Sequence, residues 1–119
     1  KKKKLSNLHK KYGLHIITNG FQEVQSLKLQ NSKIDHFFKT ITSSESVGVK
    51  KPDARIFKHA LELAAADPKK SVMIGDNYEA DILGAQNMGL HTICFNYHKT
   101  KLPESLVAID DLTEISNFL

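Results

Sequence analysis

Apolar residues along this chain switch repeatedly between helical and strand spacing, and the switching predicts its architecture. Leu5, Leu8 and Tyr12 recur at helical spacing, and Gly13 can end that helix. Residues 14–18, LHIIT, form a short β-branched run and read as a strand. Helical spacing resumes over 19–30, NGFQEVQSLKLQ, with Val24, Leu27 and Leu29 expected to face inward. KTIT, 39–42, reads as a second strand behind Phe37 and Phe38, and SSESVGVKKP, 43–52, as a polar loop. Asp53 is a good N-cap for a helix whose stripe is Ile56, Phe57, Ala60, Leu61 and Ala64. After the turn ADPKK, 66–70, the run SVMIG, 71–75, is nearly all apolar, the pattern of a strand buried on both faces. Residues 78–88 predict a helix with Ile82, Ala85 and Met88 inward, stopped by Gly89. HTICF, 91–95, is a fourth strand and LVAI, 106–109, a short fifth. Asp110 or Asp111 should cap a last helix running to about Leu119.

Alternating strands and helices define an α/β class with a mainly parallel sheet, here in one domain over residues 1–119. Ligands gather at the carboxyl ends of strands in such sheets. That rule selects Thr18-Asn19-Gly20 after the first strand and Gly75-Asp76 after the third.

Composition alters this picture little. The 119 residues are 40% hydrophobic and 25% charged, as ordinary globular domains are. The net charge of +4 resides in Lys1 to Lys4; without them 13 basic residues balance 13 acidic ones. No aromatic residue interleaves with those lysines, so a nucleic-acid surface is not supported, and the tetrad reads as a solvated helix face or a cut end. Cys94 is the only cysteine, which rules out an intrachain disulfide and fits a reducing, cytoplasmic setting. There is no signal-peptide pattern and no apolar run long enough to span a membrane.

The candidate chemistry is anionic and phosphate-directed. Asp76 at a strand end and Asp81 in the next helical turn can face one small volume, and few carboxylates with room for water suit Mg²⁺. The Thr18 hydroxyl, the Asn19 amide and the amides that open the following helix form a cradle for a phosphate. Lys50 and Lys51 precede Pro52, and a lysine held there can reach a phosphate or a nucleophile. Each position also has a structural reading. Asp76, Thr18 or Asn19 would serve as helix caps, Asp81 as a first-turn dipole partner, and the lysines as solvated loop residues. The histidines form no ligand pattern; His98, in a loop past the fourth strand, reads as a surface residue or a substrate contact.

The ordered set IITNG, VGVKKPDARIF and VMIGDNYEADILGAQNMG resembles the haloacid dehalogenase superfamily from about Leu14 onward. The resemblance implies a doubly wound, Rossmann-like core. It implies that Thr18 binds the transferring phosphoryl group with Asn19 and Gly20 beside it, and that Lys51 neutralises nucleophile and phosphate. It makes Asp76 a Mg²⁺ ligand and Asp81 the second acid of the metal site. Gly75-Asp76 favours a phosphatase over a dehalogenase proper, and the tail FNYHKTKLPESLVAIDDLTEI is similar to a branch of pyrimidine 5′-nucleotidases.

One departure stands out. The superfamily's nucleophile lies in an Asp-x-Asp-x-Thr/Val motif on the first core strand, and no Asp-x-Asp occurs in these residues. A cap domain is also missing. The expected molecule is therefore the C-terminal part of a hydrolase core, its sheet partial, with LHIIT and SVMIG flanking the place of the missing strand. The expected activity is Mg²⁺-dependent hydrolysis of a small phosphate monoester, such as a nucleoside monophosphate, through an aspartyl-phosphate whose aspartate lies outside the chain. The alternatives are an inactive phosphate-binding or regulatory module and a complementing subunit. The expected partner is the missing N-terminal segment or a second copy.

Overall fold

A computed structural model describes residues 2–97 and 99–119, and of Lys2 and Lys3 only the backbone. The expectations for the basic tetrad, apart from Lys4, and for His98 lie outside the described residues.

The elements alternate as the apolar pattern requires. Helix α1 (Lys2–Lys11) leads into β1 (Leu14–Thr18), then α2 (Gln22–Asn31) and β2 (Phe38–Ser43). A single turn, α3 (Ser44–Val47), precedes α4 (Ala54–Ala64) and β3 (Val72–Gly75). A helical segment over 78–87 ends in α5 (Gly84–Asn87), and β4 (His91–Phe95) and β5 (Ala108–Ile109) follow. All strand pairings are parallel, with β1 beside β2, β3 beside β4 and β4 beside β5. No pairing joins β1 to β3, so the strands fall into a two-stranded and a three-stranded sheet. This is the partial doubly wound core, interrupted where one strand would complete it.

Two apolar clusters hold the layers together. Ile56 and Phe57 of α4 and Ala85 of α5 are fully buried, with Ile17 and Met73 packed against them. Burying each large side chain of this kind contributes about 1.5–3 kcal/mol. Ile93, Ile109 and Ile115 form the second cluster, with Leu8 and Ile74 at its edge. Adjacent strand residues point to opposite faces. Met73 and Ile74 therefore join different clusters: α4 covers one face of β3, and α1 with the C-terminal segment covers the other.

Several details differ from the sequence pattern. Val24 and Leu27 are 44% and 50% exposed, and only Leu29 of the expected α2 stripe is half-buried. The pattern supplies an apolar face, but α2 has no buried residue. Strand β3 is not enclosed on both sides: Val72 is exposed and the other three residues are half-buried, because one strand edge has no neighbour. The polar loop contains α3, closed by a capping box between Ser43 and Ser46. The last helix is a 3₁₀ segment, Leu112–Asn117, capped by Asp111. Among the described residues no helix is long and apolar enough to cross a membrane.

Candidate active site

The carboxyl ends of β1 and β3 meet at one side chain. Lys51 sits in the loop before α4, joined to Pro52 by a cis peptide bond. Its side chain is only 11% exposed. The Lys51 Nζ donates to the Ile17 carbonyl near the end of β1, at 3.1 Å, and to Asp81 Oδ1, at 2.5 Å. Asp81 in turn packs against Gly75, the last residue of β3. Lys50 is exposed. The two adjacent lysines therefore differ sharply in exposure, and Lys51 is the one turned toward the strand ends.

Asn19 fixes this lysine from the backbone side. Its Oδ1 accepts from the Lys51 N–H at 2.8 Å, and its Nδ2 donates to the Lys51 carbonyl at 3.4 Å. Ser44 Oγ donates to the Asn19 carbonyl at 2.9 Å, tying α3 to the same turn. Neither Thr18 nor Asn19 caps α2; the N-cap is Phe21, without a side-chain hydrogen bond. Thr18 Oγ1 instead accepts from the Gly20 N–H at 3.0 Å, folding the turn back over the end of β1. Thr18, Asn19 and Gly20 therefore form one compact polar turn beside Lys51.

The two aspartates have distinct places. Asn77 caps the helix after β3, its side chain accepting from the Ala80 N–H at 2.9 Å, so Asp76 is not the cap. Asp76 lies exposed at the strand end. The helix opens with a wide π turn over Tyr78–Leu83, the amides of Asp81 and Ile82 both reaching the Asn77 carbonyl, at 2.9 and 3.4 Å. Asp81 is buried in that turn. Its Oδ1 takes the Lys51 ammonium and its Oδ2 accepts from the Asn77 N–H at 3.2 Å. A solvated first-turn carboxylate is therefore not what Asp81 is. The sequence alone did not reveal Asn77 as the cap or Ile17 as an anchor, since a backbone carbonyl leaves no mark on residue type.

Gly75 is required here by space. A Cβ at that position would lie 2.5 Å from the Asp81 Cβ and 2.6 Å from its Cγ. Gly75→Ala is expected to push Asp81 away from Lys51 and to destabilise the fold by about 1–3 kcal/mol, as overpacking does. Urea unfolding checks this, and an unchanged midpoint would mean that the turn relaxes freely.

Two carboxylates, Asp76 and Asp81, stand near the end of β3, and Lys51 pairs with Asp81. The carboxylates' effect reaches β4, where burial pushes the Cys94 thiol pKa up and the Asp81 and Asp76 carboxylates push it further. A divalent cation fits this donor set. Asp76 offers a carboxylate at the strand end, and Asp81 stands behind it, already engaged by Lys51 and Asn77. Among the described residues no three His, Cys, Asp or Glu side chains converge. A cation held at Asp76 would take its remaining ligands from water or substrate oxygens.

The chain is 39% identical over 108 residues to the pyrimidine 5′-nucleotidase YjjG of Escherichia coli, covering 87% of this chain and 48% of that protein. It is 36% identical over 118 residues to the glyceraldehyde 3-phosphate phosphatase of Methanothermobacter thermautotrophicus, covering 92% and 52% respectively. The magnesium-bound HAD-hydrolase YfnB of Bacillus subtilis superposes with a TM-score of 0.89 at 33% identity, over 98% of this chain and 52% of YfnB. The chain spans about half the length of each of these relatives. The haloacid dehalogenase-like hydrolase model matches residues 2–95, the stretch that contains the Thr18 turn, the buried Lys51 and the Gly75-Asp76 strand end, and the chain belongs to that family.

Proposed function

We propose that these residues form the phosphate- and metal-holding half of a phosphate monoester hydrolase whose nucleophilic carboxylate comes from outside the 119 residues. The observation that carries this reading is the buried Lys51 ammonium, fixed between the Ile17 carbonyl and Asp81 and set beside the Thr18–Gly20 turn. A lysine held rigidly in a low-exposure site stabilises charge that develops on a transferring phosphoryl group without reorganising at the moment of reaction. Thr18 and the turn amides orient the phosphate oxygens. Asn19 acts through Lys51, holding its backbone, and Asp81 acts through its ammonium, so both are positioning residues. Asp76 would hold Mg²⁺, which when bound supplies further charge stabilisation to the phosphoryl oxygens. The nucleophilic carboxylate, supplied from elsewhere, attacks phosphorus and displaces the substrate alcohol as the ester P–O bond breaks, and water then cleaves the aspartyl-phosphate to release inorganic phosphate and restore the carboxylate. Two relatives, from Escherichia coli and Streptococcus pneumoniae, are pyrimidine 5′-nucleotidases and others are sugar- and amino-acid-phosphate phosphatases, which supports a small phosphorylated substrate, with nucleoside monophosphates first among those to assay. A cytoplasmic setting accords with such substrates.

The test is made on the protein with its nucleophile-bearing segment supplied. Lys51→Ala should lower kcat/KM for p-nitrophenyl phosphate by about 10²–10³-fold, the scale of losing one fixed electrostatic donor. Lys50→Ala should stay within about threefold, because an exposed loop lysine is screened by water and salt. Asp76→Asn should raise the Mg²⁺ concentration needed for half-maximal rate. Equal losses from the two lysines would show the wrong lysine has been placed in the site.

A further inference from the structure

A hollow of about 540 Å³ opens beside the Thr18–Gly20 turn, a size that accepts a small organic ligand. Asn19, Phe21, Ser44, Glu45, Gly48 and Lys50 are among its walls. Asn19 belongs both to the hollow and to the turn that fixes Lys51, so the two are continuous.

The walls are held in place. Ser44 Oγ donates to the Asn19 carbonyl at 2.9 Å, and the Gln22 N–H donates to Glu45 Oε1 at 3.3 Å. These bonds strap α3 to the first turn of α2, and the Ser43–Ser46 capping box fixes α3 itself. Gly48 ends α3 at φ 92°, and a Cβ there would meet no atom within 4 Å, so that side is open to an incoming group. Phe21 is 64% exposed, the most exposed large apolar side chain among the described residues. A lone exposed ring is common on protein surfaces. This one differs in its place, directly after Gly20 and in the wall of a hollow that continues the turn.

We propose that this hollow is the subsite for the alcohol portion of the phosphate ester, and that Phe21 stacks there against a planar, uncharged ring such as a nucleobase. The proposal deepens the hydrolase reading and rests on it for the placement of the phosphate.

Charge and shape both favour such a group. Of the residues lining the hollow only Glu45 and Lys50 are charged, one of each sign. There is no surplus positive charge for a second anionic group, which tells against bisphosphates and phosphorylated acids. A neutral group with hydroxyls or amide N–H donors fits instead. Gln22 takes one acceptor position of the Glu45 carboxylate, and a carboxylate has others for such donors. A short aliphatic chain would cover little of an exposed ring, whereas a flat ring covers its whole face. Every base has such a face, so Phe21 selects for a planar ring and not for one base.

The test has two arms. The kinetic arm uses the protein with its nucleophile-bearing segment supplied, and compares uridine 5′-monophosphate with glycerol 3-phosphate. Phe21→Ala should lower the ratio of kcat/KM for the nucleotide to that for the glycerol ester by about tenfold, within the range that one base–aromatic stack is worth. Phe21→Trp should hold or raise that ratio, because the larger ring keeps the stack. A merely structural role for Phe21 would lower both substrates together. A ratio that stays within about twofold in Phe21→Ala overturns the proposal, as does a ratio that falls in Phe21→Trp as far as in Phe21→Ala.

The binding arm needs no turnover. The full 119-residue chain is mixed with millimolar uridine 5′-monophosphate, and saturation-transfer NMR reads which ligand protons touch protein. Transfer should be stronger to the base protons than to the ribose, should weaken by about threefold or more in Phe21→Ala, and should be suppressed by excess inorganic phosphate. No transfer to the base, transfer that Phe21→Ala leaves intact, or transfer that phosphate does not suppress overturns the proposal. If no ester is turned over while the Phe21-dependent base contact is present, the hydrolase reading fails and the subsite stands. If turnover proceeds with the ratio unmoved, the subsite fails and the hydrolase reading stands.

Discussion

Purified alone, the 119-residue chain is expected to release no phosphate from p-nitrophenyl phosphate or nucleoside monophosphates above a heat-killed control, with Mg²⁺ present. The uncatalysed reaction is among the slowest known, and enzymes accelerate it by up to ~10²¹-fold. Orientation of a bound substrate supplies about 7–11 kcal/mol of barrier lowering. A fixed donor such as Lys51 adds about 10²–10³-fold. Together these leave many orders of magnitude that a covalent route must supply. The carboxylates placed at the strand ends are not free to supply it equally: Asp81 is held by Lys51 and Asn77 through both oxygens. No Asp-x-Asp occurs in the sequence to supply another. Sensitive phosphate detection over a day of incubation is the measurement. Turnover that Asp76→Asn abolishes would falsify the view that the nucleophile lies outside the chain.

Asp81→Ala should cost about 3–5 kcal/mol of stability, as much as truncating a large core side chain. The side chains of Lys51 and Asp81 are 11% and 7% exposed, so removing the carboxylate strands an ammonium with one carbonyl for company. It also leaves the Asn77 N–H without its acceptor. A loss of that size is a large part of the 5–15 kcal/mol that holds an ordinary domain together. The pair Lys51→Met with Asp81→Asn should recover most of it, because the charge is gone from both partners and an acceptor for Asn77 remains. Arg55 and Asp53 offer the contrast. Their ion pair is closed by hydrogen bonds that hold the Asp53 pKa down to about 2, yet the aspartate is on the surface and the guanidinium is 72% exposed, so breaking it should cost little. Urea unfolding of the variants decides: an Asp81→Ala loss below about 1 kcal/mol would mean water reaches the buried pair.

The sequence by itself determined the element order, the parallel α/β class and the positions worth testing. Periods of 3.6 and 2 in apolar residues are local properties, and strand-end glycines beside polar residues mark ligand positions in any doubly wound sheet. The same local logic could not say which of Lys50 and Lys51 is buried, because adjacent residues share composition and differ only in which way the loop turns them. Nor could it say that Asn77, not Asp76, caps the helix after β3, since either residue type serves a cap. Tertiary structure decided those points by bringing Ile17, Asn19, Lys51 and Asp81 together from three separate stretches of chain. It also decided the exposure of α2 and of the edges of β1 and β3. An apolar stripe records what a segment is able to bury, whereas what actually covers it depends on which neighbours the fold supplies, and between β1 and β3 these residues supply none.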